Sequence, residues 1–366
     1  MKYSLFLVVT FILFSCEMFD QEIRSSSDGQ SLYFPPINSQ EWERISPSEL
    51  NWNQSQMDDL LEFLEGNHTR AFIILKDGKI VVEEYFGNTI LGTAPFDQNS
   101  QWYWASAGKT LTATLVGIAQ ENGLIHLENP TANYLGSGWT SLAPEKEQLI
   151  TVKNQLTMTT GLAYAIPDLN CTLPACLNYK SDAGQEWFYH NAPYTLLEKV
   201  IEQASGETLN EYTHLTLESK IGMNGQWIAQ GFNTVYWSTA RDMARFGLLI
   251  LNKGQWNKTV VLSDQNYYQQ MISSSQDLNP SYGYLWWLNG KESIVFPGNP
   301  KSFAMPLSDF APIDLFAGMG KNGQFVEVVP SQNLVLIRMG EAPDDGLVPI
   351  LFHNQMWEKL SRVMDK

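Results

Sequence analysis

The sequence predicts an α+β fold, with an antiparallel sheet built from both chain ends, flanking helices, and a mainly helical region inserted over about residues 105–240. Two observations carry this. Strand-type runs sit near the start and the end of the chain, and long helical patterns fill the middle with no internal repeat.

Ala71 to Leu75 and Lys79 to Phe86 are β-type runs joined at Asp77-Gly78, a hairpin signal. After Trp104 a helix begins, with Leu111, Leu115, Ile118 and Ala119 on one stripe and Asn122-Gly123 at its end. A second helix carries Leu197, Val200, Ile201 and Ala204 and stops at Ser205-Gly206. A third opens at Thr239 with Asp242 three residues on, a capping box, and ends at Gly254 after burying Met243, Phe246 and Ile250. Strand runs return at Phe325–Val329 and Leu334–Met339, linked by Pro330-Ser331-Gln332-Asn333. Pro349 opens a last helix, with Phe352, Met356, Leu360 and Val363 on one face.

The N-terminus reads as a targeting segment. Lys2 is followed by an apolar run from Leu5 to Phe14, too short to span a bilayer and the size of a signal-peptide core. It ends in Leu13-Phe14-Ser15-Cys16, similar to the bacterial lipobox, whose Cys thiol is lipidated. The expected organisation is a signal peptide over 1–15, a flexible tether over 16–46, and the folded body over 47–366. That implies export to the bacterial cell envelope, at the periplasm or cell surface, with membrane contact through the lipid on Cys16 only. In an oxidising compartment Cys171 and Cys176 form a disulfide or remain a free buried pair; no further Cys or His lies nearby at zinc spacing.

A net charge of −16 argues against nucleic acid, because phosphate binding needs a basic surface. No His-Glu-x-x-His and no P-loop is present, so neither a metal nor another cofactor is expected. Gly318-Met319-Gly320-Lys321-Asn322-Gly323 matches the dinucleotide fingerprint, but a β-rich run follows where a helix is required.

Ser106-Ala107-Gly108-Lys109 opens the first helix of the middle region. Residues three apart share a helix face, so Lys109 can reach the Ser106 hydroxyl, and a serine needs such a neighbour to become a nucleophile. Alone the motif is weak; an N-terminal serine beside a solvated lysine would look the same. Two further elements follow in order. Tyr189-His190-Asn191 stands directly before a helix, and Lys321-Asn322-Gly323 directly before a strand.

Ser-x-x-Lys, Tyr-x-Asn and Lys-x-Gly in this order resemble the serine β-lactamase and penicillin-binding protein-like hydrolases: class C β-lactamases, DD-peptidases and related esterases. The flanks Gly184-Gln185-Glu186-Trp187-Phe188 and Ser238-Thr239-Ala240-Arg241-Asp242-Met243-Ala244 are similar too, and the resemblance spans roughly residues 50 to 365. It implies an ester or amide hydrolase, acting on a small molecule or peptide through an acyl-enzyme on Ser106. Tyr189, as a phenolate favoured by Lys109 and Lys321, would take the serine proton. Asn191 would orient Lys109 and the substrate. The oxyanion would sit between the backbone N–H groups of Ser106 and Gln324. The sequence departs from the family at Asn322, where β-lactam- and peptide-cleaving members carry Thr or Ser. A longer amide facing the cleft there would crowd a substrate carboxylate, which weighs against a β-lactamase or DD-peptidase proper. A non-catalytic envelope binder of the same fold would have no need of Ser106, Lys109 and Tyr189 together. His190 is expected to be structural.

Overall fold

A computed structural model of the chain describes residues 32–365, so Cys16 and the expected signal peptide lie outside the described residues. In chain order the elements that place the site are α1 (Gln54–Gly66), β1 (Thr69–Lys76), β2 (Lys79–Tyr85), β3 (Trp102–Tyr103), α2 (Lys109–Glu121) and α3 (Asn191–Ser205). They continue with β4 (Gln226–Gln230), β5 (Asn233–Ser238), α4 (Ala240–Leu251), β6 (Trp287–Leu288), β7 (Phe316–Gly320), β8 (Gln324–Val329), β9 (Leu334–Gly340) and α5 (Ile350–Met364).

The main sheet has six antiparallel strands in the order β2-β1-β9-β8-β7-β6. The first hairpin therefore pairs with the last strands, Ile73 opposite Ile337, which closes the sheet from both chain ends as the strand distribution predicts. Its two faces follow from the period of two along each strand. On β8, Phe325 stacks toward Phe352 of α5, while Val326 points to α4 on the other side. Close approach of α4 depends on Gly247: a Cβ there would come within 2.5 Å of Val335 Cγ1. Thr239 caps α4 through the expected box, accepting from the Asp242 N–H while the Asp242 carboxylate accepts from the Thr239 backbone and hydroxyl.

The helical region packs on this sheet, with β3, β5 and β4 forming a small second sheet at its border. Trp104 and Trp102 are wholly buried where the region meets the main sheet. The chain between 32 and 46, expected as tether, instead lies along the β2 edge. Tyr33 N–H donates to Asp77 O at 3.0 Å, Ile45 N–H to Ile80 O at 3.0 Å, and Trp42 Nε1 to Gly78 O at 2.8 Å. Its polar composition masks Leu32, Phe34, Trp42 and Ile45, which pack against the core and cover an edge strand that would otherwise stand open. Cys171 and Cys176 are disulfide-bonded.

Candidate active site

Ser106 lies in a 3₁₀ turn, Ala105–Gly108, that runs straight into α2. The residue before it, Ala105, has φ +46°, a left-handed conformation costing a side-chain-bearing residue roughly 1–3 kcal/mol. The end of β7 packs against this turn: a Cβ on Gly320 would lie 2.7 Å from Trp104 O and 3.0 Å from Ser106 N, so only glycine fits. The strand beside Ser106 is thus Phe316–Gly320. Lys321-Asn322-Gly323, expected directly before a strand, forms the turn between β7 and β8, with Gly320 paired to Gln324.

The cleft at this junction has a volume of about 430 Å³. Ser106, Lys109, Tyr189, Asn191 and Lys321 all line it, so the structure brings five of the expected residues together. Lys109 Nζ lies 3.2 Å from Ser106 Oγ and donates to Asn191 Oδ1 at 3.0 Å. It also sits 4.0 Å from the centre of the Tyr194 ring and 5.1 Å from that of Tyr189. Burial pulls the Lys109 amine down to about 7, against a raising influence from Glu198 further along α3.

Tyr189 departs from expectation. It is buried, stacked on Trp287 with ring centres 5.9 Å apart, and burial holds its phenol pKa well above the ordinary value, with the Ser106 hydroxyl acting weakly against this. Burial thus works against the phenolate of Tyr189 and favours the neutral amine of Lys109.

The other residues of the third motif do not meet the cleft. Asn322, at φ +65°, turns its amide to Tyr103, with Nδ2 donating to the phenol oxygen at 2.7 Å, so it does not crowd the space beside Ser106. Gly323 packs against the Arg338 guanidinium. The Gln324 side chain is committed to Gly340, donating from Nε2 at 2.6 Å and accepting from its N–H at 3.0 Å. The backbone that stands next to Ser106 is that of Gly320, and Lys321 follows it into the cleft lining. His190 is buried and burial pulls it down to about 4, in keeping with a structural, neutral ring.

Residues that sequence reading missed include Ala105, Asn170, Tyr194, Asn233 and Thr234, all lining the cleft. Tyr194 was within reach, since it stands three residues after Asn191 on α3 and must share its face. Asn170 comes from a loop and Asn233 and Thr234 from β5, and no spacing links them to the motifs. Among the described residues no cluster of metal-ligating side chains occurs.

Residues 62–345 match the family described as Beta-lactamase, so the chain belongs to that family. It is a hydrolase of the β-lactamase fold. The chain is 23% identical to a 6-aminohexanoate-dimer hydrolase of Paenarthrobacter ureafaciens over 332 residues, covering 79% of this chain and 77% of that protein. Among solved structures it is similar to a penicillin-binding protein homolog of Caulobacter crescentus (TM-score 0.64, 12% identity, 84% of this chain and 97% of that one). It is equally similar in fold to a family VIII carboxylesterase (TM-score 0.64, 16% identity, 84% and 97%).

Proposed function

We propose that this protein hydrolyses esters or amides through an acyl-enzyme on Ser106, with Lys109 as the base. The observation that carries the reading is the buried Lys109 amine, at about 7 and 3.2 Å from Ser106 Oγ. An amine whose neutral form is substantially populated near pH 7 can, at that distance, take the serine proton as Oγ bonds to the substrate carbonyl carbon. The resulting oxyanion is held by the backbone N–H groups of Ser106 and Lys321, the second replacing Gln324. Collapse of the tetrahedral species breaks the bond to the alcohol or amine. That leaving group takes its proton from the Lys109 ammonium, relayed by the neutral Tyr189 hydroxyl. Water then attacks the acyl carbon and gives a proton to Lys109; as the acyl–Oγ bond breaks, Lys109 returns that proton to Ser106 Oγ, releasing the acid and restoring both groups.

Substrate preference follows from the lining. Asn170, Asn191, Gln230 and Asn233 are uncharged amides, Leu169, Val235, Leu347 and Val348 are apolar, and no carboxylate lines the cleft. This supports uncharged esters and amides of a small molecule or peptide. A β-lactam carboxylate would find Lys321 but no hydroxyl on the adjoining strand end, Gly318-Met319-Gly320. The test is turnover of p-nitrophenyl butyrate together with fluorophosphonate labelling. We expect one adduct on the Ser106 peptide, and loss of both labelling and turnover in Ser106→Ala. Undiminished hydrolysis by that variant would remove the assignment. The export signal and lipobox-like Cys16 support placing this activity at the cell envelope, which detergent partitioning of wild type and Cys16→Ala would check.

A further inference from the structure

Asn191 orients Lys109, and something outside α3 orients Asn191. Its Nδ2 donates to Asn170 Oδ1 at 2.9 Å. Asn170 in turn donates from Nδ2 to Asp168 Oδ1 at 3.0 Å, and its backbone N–H donates to the same oxygen at 2.9 Å. One backbone bond docks this segment on the start of α3, Ala192 N–H to Leu169 O at 2.9 Å, and another closes the segment on itself, Cys171 N–H to Asp168 O at 3.3 Å. The next residue in the chain, Cys171, is buried and bonded to Cys176.

The chemistry gives this chain of contacts a direction. An amide can present either its oxygen or its nitrogen, and only its neighbours decide which. A carboxylate only accepts. Asp168 therefore draws the NH₂ of Asn170 and turns the Asn170 carbonyl toward Asn191. Asn191 must answer with its own NH₂, which leaves its carbonyl for Lys109. One exposed carboxylate thus sets the orientation of two amides and places an acceptor, never a competing donor, beside the catalytic amine.

We propose that Asn170 is a positioning residue for the reaction, directed by Asp168 and held in place by the Cys171–Cys176 disulfide. The proposal rests on the reading of Ser106 and Lys109 given above. Asn170 acts through Asn191; with Oδ1 and Nδ2 both engaged, it performs no chemistry on the substrate.

The experiment uses the full chain with its disulfide intact and measures kcat and KM for p-nitrophenyl butyrate across pH. Asn170→Ala should lower kcat about 10- to 100-fold, the cost of misplacing a catalytic group by about an ångström, with a smaller change in KM. Losing the acceptor disfavours the ammonium, so the acid limb of kcat/KM should also move to lower pH by about one unit. A purely structural role would not move that limb. Asn170→Asp should be at least as damaging, because it sets two carboxylates together. The double exchange, Asp168→Asn with Asn170→Asp, restores a donor facing a carboxylate that still accepts from Asn191, and should recover most of the rate. Reducing the disulfide should reproduce the Asn170→Ala profile in wild type and add little to that variant. Fluorophosphonate labelling of wild-type Ser106 is checked first. Failure there overturns the catalytic reading itself. Labelling in wild type, with Asn170→Ala unchanged in both kcat and acid limb, or with no recovery in the double exchange, overturns this inference alone.

Discussion

The two sides of the main sheet both bury ionisable groups, and they treat them in opposite ways. On the α5 side, Glu327 of β8 is fully buried and both its oxygens are engaged, accepting from His353 Nε2 at 2.6 Å and from Trp357 Nε1 at 2.7 Å. Nearby Arg338 of β9 donates to Gly323 O at 3.1 Å, Asn67 O at 2.9 Å, Glu341 O at 3.1 Å and Thr69 Oγ1 at 3.2 Å, with its guanidinium over the Phe352 ring. On the cleft side, Glu198 Oε1 has no partner among the described residues. There burial pulls the Lys109 amine down to about 7 and pushes the Glu198 carboxyl up to about 8. Burial of charge by itself therefore does not mark function. Burial also pulls the fully bonded Arg338 guanidinium down to about 9, so a lowered pKa is no mark of function either; what sets Lys109 apart is its place in the cleft, 3.2 Å from Ser106 Oγ.

This contrast can be broken by mutation. Ser106→Ala should cost the most activity, at least about 10³-fold, with stability almost unchanged. Glu327→Ala should do the reverse. It strips His353 and Trp357 of their shared acceptor in a dry site, a loss of roughly 3–5 kcal/mol by denaturant titration, while kcat per folded molecule stays close to wild type. Retained stability in Glu327→Ala would mean that the α5 side is not the structural half.

Lys109→Met sharpens the comparison, because one substitution should lower activity and raise stability together. The amine titrates at about 7 in the folded chain against an ordinary 10.5. The unfolded chain then binds that proton more tightly, so this group makes stability rise with pH from about 7 toward 10.5. Methionine removes that slope, and the variant should be more stable than wild type near pH 7 by on the order of 2 kcal/mol once the lost hydrogen bonds are counted. Wild-type kcat/KM should rise through pH 7 as Lys109 loses its proton. A limb near pH 10 instead would show an ordinary, solvated lysine.

Legibility followed the range of the interactions. Ser106 and Lys109 were readable because one helical turn brings them together, and the capping box at Thr239 and the hairpin at Asp77-Gly78 are equally local. The third motif was misjudged at Asn322, although Asn322-Gly323 carries the same kind of turn signal as Asp77-Gly78, with φ of +65° and +76°. Expecting the middle residue of Lys-x-Gly to face the cleft outweighed that local signal. The register that makes it a turn, Gly320 opposite Gln324, is set by pairing across the sheet. The raised phenol pKa of Tyr189 was illegible for a different reason. Neighbouring lysines can be counted in a sequence, but the burial that outweighs them cannot. Asn170 was invisible because its link to Asn191 is made by a loop folding back.

The smallest expected effect, and the finest probe of the cleft side, belongs to Glu198. It is only 8% exposed, stands a further turn along α3 from Tyr194, and is held at about 8 by burial, with the Thr234 hydroxyl opposing. Below that pH it is mostly protonated and lends Lys109 little charge. Glu198→Gln should therefore move the acid limb of kcat/KM down by less than about half a unit and change kcat by less than about threefold. Its stability signature runs opposite to that of Lys109. The folded chain holds this proton more tightly than the unfolded chain, so wild-type stability falls as pH rises from 4.5 toward 8 on account of this group. Glutamine flattens the fall, and the variant should gain on wild type progressively across that window. Denaturant titrations at pH 5 and pH 8 measure the gain. A tenfold loss of kcat, or an acid limb that moves upward, would instead place Glu198 in the proton path with Lys109.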